Sequence, residues 1–470
     1  MKKKDLKAKK KMLLLLMPDF SERIFFMKKD IIKHCFFFLA LLGCTWAAQA
    51  QSKVLTVEQA VDLALKNNFD IRLARNSAEL SANDYAYANF AFVPRLNATA
   101  GTNWSRTATK QEFANGSKRD TSGIKGNNIN ASATLSWTLF DGMKMFATRD
   151  KLQAIRDLGE LAIKNQVQNS VATIISGYYN IVQQKQQLKA ISEQLSISEE
   201  RVKLSDAKFT TGLGPKTDLL QSKVDLNAQK ALYLRQLTLI EQSKALLNQL
   251  MAVPANATEY DVQDSIPLTT DISFVALQQS IANNNTSIRL QQQNVAVSAL
   301  TVKERRADYF PVLSFNSAYN YNRNTSNAAS NNFSPRFNRN AVLNYGFTAT
   351  IPIFNGFNVK RQVQNAKIDY DFQNITLDNV RSQVDLSLSN AFKDYEYYKK
   401  AVQLEEENNQ LAHENAMVAL ERFKQGVSTT IEVKQAQQSL EDSNYRLIQA
   451  RYNTKLAETE LRRLNGALVQ

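Results

Sequence analysis

The chain contains two copies of one pattern. Phe92-Val-Pro94-Arg-Leu96 is matched by Phe310-Pro311-Val-Leu313, with the prolines 217 residues apart, and Asn67-Asn68 with Ile71 is matched in the same register by Asn284-Asn285 with Ile288. Further along the offset is 214: Phe140-Asp-Gly142 pairs with Phe354-Asn-Gly356, Phe209-Thr-Thr-Gly212-Leu213 with Phe423-Lys-Gln-Gly426-Val427, and Leu250 with Leu464. Matches in one order commit both halves to the same supersecondary unit. The three residues lost between Pro311 and Phe354 mark that interval as a tolerant loop.

Each half follows one plan. A stretch without Gly or Pro, 55–93 and 268–310, opens as a helix, the first with Thr56 and Gln59 spaced as a capping box. Two alternating segments follow, expected as strands at about 94–107 and 128–140, and again at 312–322 and 344–354. In the first, Leu96, Ala98, Ala100 and Trp104 alternate with Asn97, Thr99 and Asn103; in the last, Tyr345, Phe347, Ala349, Ile351 and Ile353 form the apolar set. The polar stretches 107–127 and 323–341 read as loops facing outside.

A long helix is then expected at about 142–211 and at 357–425, the second being 69 positions free of Gly and Pro. At 1.5 Å per residue such a helix reaches roughly 100 Å. Val380, Val384, Leu388, Ala391, Tyr395, Tyr398 and Val402 recur at steps of three and four, a coiled-coil seam. Each half turns at a glycine and returns through a shorter helix, 216–253 and 427–465. Leu232, Leu234, Leu237 and Ile240 occupy more than one face of the first return helix, as suits a helix between two neighbours. The repeats span 51–253 and 272–470, joined by a linker at 254–271.

Composition excludes most chemistry. The chain has 2 Cys and 2 His. From Met27 a basic region, an apolar core from Cys35 to Cys44, and small residues at Ala48 and Ala50 form a signal peptide expected to be cleaved after Ala50, with Met27 as the true start. Leu41-Leu-Gly-Cys44 offers a rival cleavage that would leave an acylated cysteine. Removal of this leader takes both cysteines, or all but Cys44, and leaves His413, which reads as a surface histidine on a polar helix. Disulfide frameworks, cysteine metal sites and Ser-His-Asp catalysis fall away, so no catalytic residue, metal or cofactor is expected. Half of the +14 net charge lies in the first 50 residues, and no later segment joins a basic cluster to stacking aromatics, so nucleic acid is not an expected partner.

The strands favour a membrane barrel. Their polar face is almost entirely Asn, Ser and Thr, and Trp104, Trp137, Tyr319 and Tyr345 are placed as interface aromatics. A soluble sheet with one wet face has the same alternation. Four strands cannot close a barrel, and an open edge cannot exist in hydrocarbon, so copies of the chain must complete it as an eight-stranded dimer or a twelve-stranded trimer.

The duplicated order of helix, hairpin, long helix, glycine turn and return helix resembles the TolC family of outer-membrane efflux and secretion channels. Phe209-x-x-Gly212-Leu213-x-x-x-Thr217-Asp218-Leu219 and Phe423-x-x-Gly426-Val427-x-x-x-Ile431-Glu432-Val433 are similar to the family's two periplasmic tip motifs. The resemblance implies a mostly α membrane protein located in the cell outer membrane. It would be a homotrimer with a twelve-stranded β-barrel continued by a twelve-helix periplasmic tube, meeting a periplasmic adaptor and an inner-membrane pump of the RND or ABC kind. Gly212, Leu213, Gly426 and Val427 become adaptor-docking tips. Thr217, Asp218, Glu432 and Gln435 fall where the family narrows its entrance, although Asp218 and Glu432 also suit the first turn of any helix. Ser428 replaces the family's arginine, Gln435 stands in place of a second ring carboxylate, and the family's Asn-Pro break becomes Asn68-Phe69 and Asn285-Thr286, which removes the expected cause of an equatorial kink. A trimeric adhesin would carry its strands together at the C-terminus, and a periplasmic coiled-coil scaffold would leave the strands idle.

Overall fold

The computed structural model describes residues 53–269, 272–328 and 335–469. The leader reading on 1–50 and part of the linker reading lie outside the described residues. The described chain divides into two units. The small one is a parallel pair, β1 (Lys53–Leu55) and β4 (Tyr260–Val262), with Lys53 opposite Tyr260.

The large unit runs α1 (Val57–Asn67), α2 (Phe69–Ala86), β2 (Arg95–Glu112), β3 (Lys118–Phe140), α3 (Lys144–Thr210) and α4 (Lys216–Leu250). The second repeat runs α5 (Phe274–Asn284), α6 (Thr286–Ala307), β5 (Val312–Ser326), β6 (Phe337–Thr350), α7 (Asn358–Lys424) and α8 (Thr430–Leu464). The capping box at Thr56 and Gln59 is formed, at 3.3 Å in each direction. Among the described residues no helix is long and apolar enough to cross a membrane.

The four long strands form one antiparallel sheet in the order β2-β3-β5-β6, which leaves β2 and β6 as edges. Cross-strand partners share a face. The register puts Ala98, Ala133, Tyr319 and Leu343 on one face, and Thr99, Ser132, Asn320 and Val342 on the other. Side chains bond across strands on the polar face, Thr99 with Ser132 at 2.8 Å and Asn128 Nδ2 donating to Asn322 Oδ1 at 2.9 Å.

Two loop readings are corrected. Most of 107–127 is strand: β2 and β3 continue to a tight turn at Phe113–Ser117, pairing Lys110 with Asp120 and Glu112 with Lys118. Both faces of that extension are polar, so the period-two signal disappears although the backbone ladder persists. Similarly, β5 extends to Ser326 and β6 starts at Phe337. At its other end β6 stops at Thr350, so Ile351 and Ile353 lie outside the strand; Pro352 between them has no N–H to give a ladder.

The helices pack as two overlapping arcs. Next to the sheet the order of contact is α2, α3, α6, α7, and toward the turns it is α4, α3, α8, α7. The seam on α7 is buried at Val384, Leu388, Ala391 and Tyr395, with Leu461 and Leu464 of α8 and Ile288 of α6 in the same core, and at Val402, which packs with Leu447 and Ala450 of α8. α4 packs mainly on α3 and reaches its second neighbour, α8, through side-chain bonds such as Asp225 with Lys434 at 3.0 Å and Gln229 with Glu441 at 3.3 Å. Leu220, Val224, Leu234 and Leu246 of α4 stay exposed, as do Ile368, Phe372, Ile375 and Leu386 of α7 at the opposite end of the arcs.

The helix break expected to weaken without proline is present in both repeats. Asn68 Oδ1 accepts from the Asp70 and Ile71 N–H groups at 2.9 and 3.1 Å, capping α2, while its Nδ2 donates to Leu250 O at 2.7 Å. Asn285 does the same, capping α6 through Ser287 and Ile288 at 3.0 Å each and donating to Leu464 O at 2.8 Å. One buried amide starts a helix and ends another, so proline is not needed. Asn68→Ala or Asn285→Ala loses the cap and strands a buried carbonyl, and should lower stability by about 2–3 kcal/mol. Thermal unfolding followed by circular dichroism checks this, and a loss near zero would show that solvent replaces both bonds.

Candidate functional site: the helical tips

Both helical hairpins end in the same way. Gly212 and Gly426 have φ of +76° and +78°. The Leu213 N–H reaches back to Lys208 O at 2.8 Å, and the Val427 N–H to Arg422 O at 3.0 Å. These are Schellman closures, in which glycine occupies the left-handed position without strain and the turn uses up helix-end carbonyls. The residues just beyond are apolar and uncovered: Leu213 is 82 % exposed and Val427 63 %.

The acids behind the two glycines have different partners. Asp218 Oδ2 accepts from the Thr430 hydroxyl at 3.1 Å, which ties the α3–α4 tip to the α7–α8 tip. Glu432 is held within its own hairpin: Oε2 accepts from Ser428 Oγ at 2.7 Å, and Oε1 faces Arg422 Nη1 at 3.0 Å. Its backbone N–H donates to the Thr429 hydroxyl, which caps α8. Thr217 and Gln435 are exposed. The sequence reading noted the loss of an arginine at position 428 but missed Arg422, four residues before Gly426, which brings a guanidinium to Glu432 from the other arm of the turn.

A second link joins the tips. Lys208 Nζ donates to Phe423 O at 2.6 Å and stands 3.6 Å from the Phe423 ring centroid. Below both lies an apolar cluster of Leu420, Phe423, Val433, Ala436 and Leu440.

About three turns from the tip a buried arginine binds three helices together. Arg201 of α3 is 1 % exposed; its Nη2 donates to Asp225 of α4 at 2.6 Å and its Nη1 to Gln437 of α8 at 2.9 Å. Lys434 Nζ reaches the other Asp225 oxygen at 3.0 Å. Burial pushes the Asp225 carboxyl up, but hydrogen bonds from Lys434 and Gln221 and the Arg201 charge outweigh it and hold the group below the ordinary carboxylate range. Sequence spacing gave no sign of this cluster, because its members come from three helices and each alone reads as a surface charge.

Two other expectations have clear positions. His413 is exposed on α7. The acidic run beside it is paired, Glu405 with Arg446 at 3.0 Å and Glu406 with Arg451 at 2.8 Å, so it holds α7 to α8.

The aromatic residues lie on the apolar face of the sheet. Trp104 is 73 % exposed at the end far from the helices, and Trp137, near the helices, donates its indole N–H to Phe92 O at 2.8 Å. Tyr319 and Tyr345 stand nearer mid-strand, opposite Leu343 and Ser317.

An apolar-faced sheet with two open edges, continued by helical hairpins with matched tips, fits a channel protein of the outer membrane. The family model described as outer membrane efflux protein matches residues 60–253 and 277–467, and the chain belongs to that family. Among curated relatives, the alkaline protease secretion protein AprF of Pseudomonas aeruginosa is 22% identical over 86% of this chain and 83% of its own length. The outer membrane protein TolC of Vibrio cholerae is 21% identical over 80% and 83%. Among solved structures, the CmeC outer membrane channel of Campylobacter jejuni superposes with a TM-score of 0.73 at 18% identity, covering 88% of this chain and 86% of that one. VceC of Vibrio cholerae gives 0.69 at 14% identity, with 87% and 96% covered. The protein is an outer-membrane exit channel with its helical part in the periplasm.

Proposed function

We propose that three copies of the chain close one twelve-stranded barrel and continue as a twelve-helix duct, the exit conduit of a tripartite efflux or type I secretion system. The observation that carries this reading is the set of unmet edges in one chain. β2 and β6 are open edges, and α4 and α7 expose apolar rows at the two ends of the helical arcs. An open edge is not tolerated in hydrocarbon, so neighbouring copies must meet β2 with β6. Eight strands would enclose a space that side chains fill, whereas twelve leave a lumen lined by the Asn, Ser and Thr face. The apolar face then meets lipid, with Trp104, Trp137, Tyr319 and Tyr345 among its aromatics.

In this arrangement Asp218 and Glu432, with Thr217 and Gln435 beside them, line the periplasmic entrance as rings of three. Such rings attract cations and narrow the passage. Gly212 and Gly426 shape the tips, and Leu213 and Val427 offer apolar knobs to a periplasmic adaptor, which couples the duct to an inner-membrane RND or ABC pump. The relatives' names, covering protease secretion and toluene efflux, fit both kinds of pump. The role is passage and not catalysis.

Planar-bilayer conductance of the purified oligomer, with its mass in detergent, tests the reading. A trimer with small cation-selective steps is expected. In Glu432→Ala the cation preference should fall toward unity and the steps should grow, because the Ser428 and Arg422 ties go with the carboxylate. A non-conducting protein that stays in solution without detergent would sink the channel reading.

A further inference from the structure

The apolar face of the sheet carries positive charges that a passive conduit does not require. The register sets Arg106 opposite Lys125, and Arg323 opposite Arg339. All four are exposed, and they share the face of Ala98, Ala133 and Leu343. Like charges directly opposite each other destabilise a ribbon. Farther out, the same hairpin pairs opposite charges instead, Lys110 with Asp120 at 3.1 Å and Glu112 with Lys118 at 3.2 Å. Charges are thus matched where the ribbon stands clear of the apolar band and unmatched at the band's margin. Among the described residues none of the four cations makes an ion pair.

Their height is informative. Arg323 lies ten residues along β5 from Leu313, where the apolar face begins near the helices. That is about 33 Å of strand, or about 25 Å along the axis of a barrel tilted near 40°, the height of an apolar band. Arg323 and Arg339 therefore sit at the inner edge of the headgroup layer of the leaflet away from the helices, which faces outside, and Arg106 and Lys125 sit two rows farther out in the same layer. Among the described residues the inner margin, with Trp137, Phe315 and Phe347 in one row, has no cation on this face.

The guanidinium groups are also held against aromatic rings. Arg323 stands 5.6 Å from the Phe337 centroid, and Arg339 stands 5.6 Å from that of Tyr321. Stacking of this kind leaves the forked N–H edge free, and that edge matches phosphate oxygens two at a time. One row, Trp104 and Asn127 with Thr325 and Phe337, separates the two cation pairs.

We infer that the two pairs form a binding site for a doubly phosphorylated glycolipid of the outward-facing leaflet, one phosphate to each pair. A headgroup with a single phosphate satisfies one pair and leaves the other repelling. The site rests on the barrel reading above.

Native mass spectrometry of the full oligomer in mild detergent tests it, with diphosphoryl lipid A and phosphatidylglycerol as probes. Wild type should hold lipid A more tightly than phosphatidylglycerol. Arg323→Gln with Arg339→Gln, or Arg106→Gln with Lys125→Gln, should each weaken lipid A about tenfold or more. Arg323→Lys with Arg339→Lys should keep only part of the binding, the charge without the fork, whereas the control Lys110→Gln with Lys118→Gln should keep most of it. Unchanged lipid A binding in both glutamine pairs, an equal loss in the control, or equal affinity for phosphatidylglycerol would overturn the site. Vesicle conductance of the same variants separates the two readings: an oligomer that conducts while its lipid A binding is indifferent to these cations removes only the lipid site, whereas a wild type that enters no vesicle removes the barrel.

Discussion

Arg201→Met should destabilise the tip half of the helical assembly by about 3 kcal/mol, the lower end of what removing one partner of a buried ion pair costs, because Lys434 still faces Asp225. The substitution keeps the aliphatic bulk and removes the bonds to Asp225 and Gln437, the connections of Arg201 to α4 and α8. Arg201→Lys should recover only part, since one ammonium on a shorter stem cannot bond both helices as a fork does. Adding Asp225→Asn to Arg201→Met should restore part of the stability relative to the single change, because the oxygen that Arg201 no longer bonds then carries no charge, while Lys434 loses its partner. Denaturant unfolding, together with the rate of proteolysis near the α3–α4 turn, reads both effects. Strict additivity of the two substitutions would show that the groups do not interact.

The same cluster sets a pH dependence. The carboxyl of Asp225 is held lower in the folded protein than in the unfolded chain, so its contribution is complete above the ordinary carboxylate value of about 3.9 and is lost as pH falls through the lowered folded value. Wild type should therefore lose tip stability only on acidification below about pH 4, and a variant with Asp225→Asn should lose less over that range.

The second large effect is expected at the junction of barrel and helix. Gly142 and Gly356 occupy matching places before α3 and α7, with φ of +72° and +63°, and each is followed by a second residue in the same left-handed region, Met143 and Phe357. Alanine at either position costs about 1–2 kcal/mol for the backbone conformation alone. At Gly356 that is the whole cost, since a Cβ would meet nothing within 4 Å. At Gly142 a Cβ would stand 2.4 Å from Ala307 O and 2.7 Å from Phe310 Cβ, so α6 would have to move. Gly142→Ala should therefore cost about 3 kcal/mol or more in total, with overpacking adding to the strain, and the yield of assembled oligomer in outer membranes should fall well below that of Gly356→Ala. Equal yields would mean that the end of α6 shifts freely.

Much of this fold is legible in the order of residues. The duplicated motifs fix two equivalent hairpins and two helices of equal length, because each rests on local features: glycines at left-handed turns, long runs without Gly or Pro, and period-two alternation. The tip glycines and the α7 seam are read the same way. The strand extensions beyond 107 and 323 are not, because alternation reports one buried face and those ribbons have none. The equatorial break is partly legible: Asn68, Asn285, Leu250 and Leu464 stand out as matched positions, but that each amide bonds the matched leucine carbonyl depends on helices about 180 residues apart in sequence.

The sequence by itself determined the repeat, the helices and the inner parts of the strands, since backbone propensities and periodicities act within a few residues, and its tip motifs carried the resemblance that implies the class of protein. Only the tertiary structure decided which charges meet. It brought Arg422 to Glu432, Thr430 to Asp218 and Arg201 to Asp225, and it set Arg323 beside Arg339 where a shift of one residue in register would have turned one of them to the polar face. The reason is physical: side-chain electrostatics depends on distances of a few ångströms between segments far apart in the chain, and those distances are fixed by packing and strand register, which no local pattern encodes.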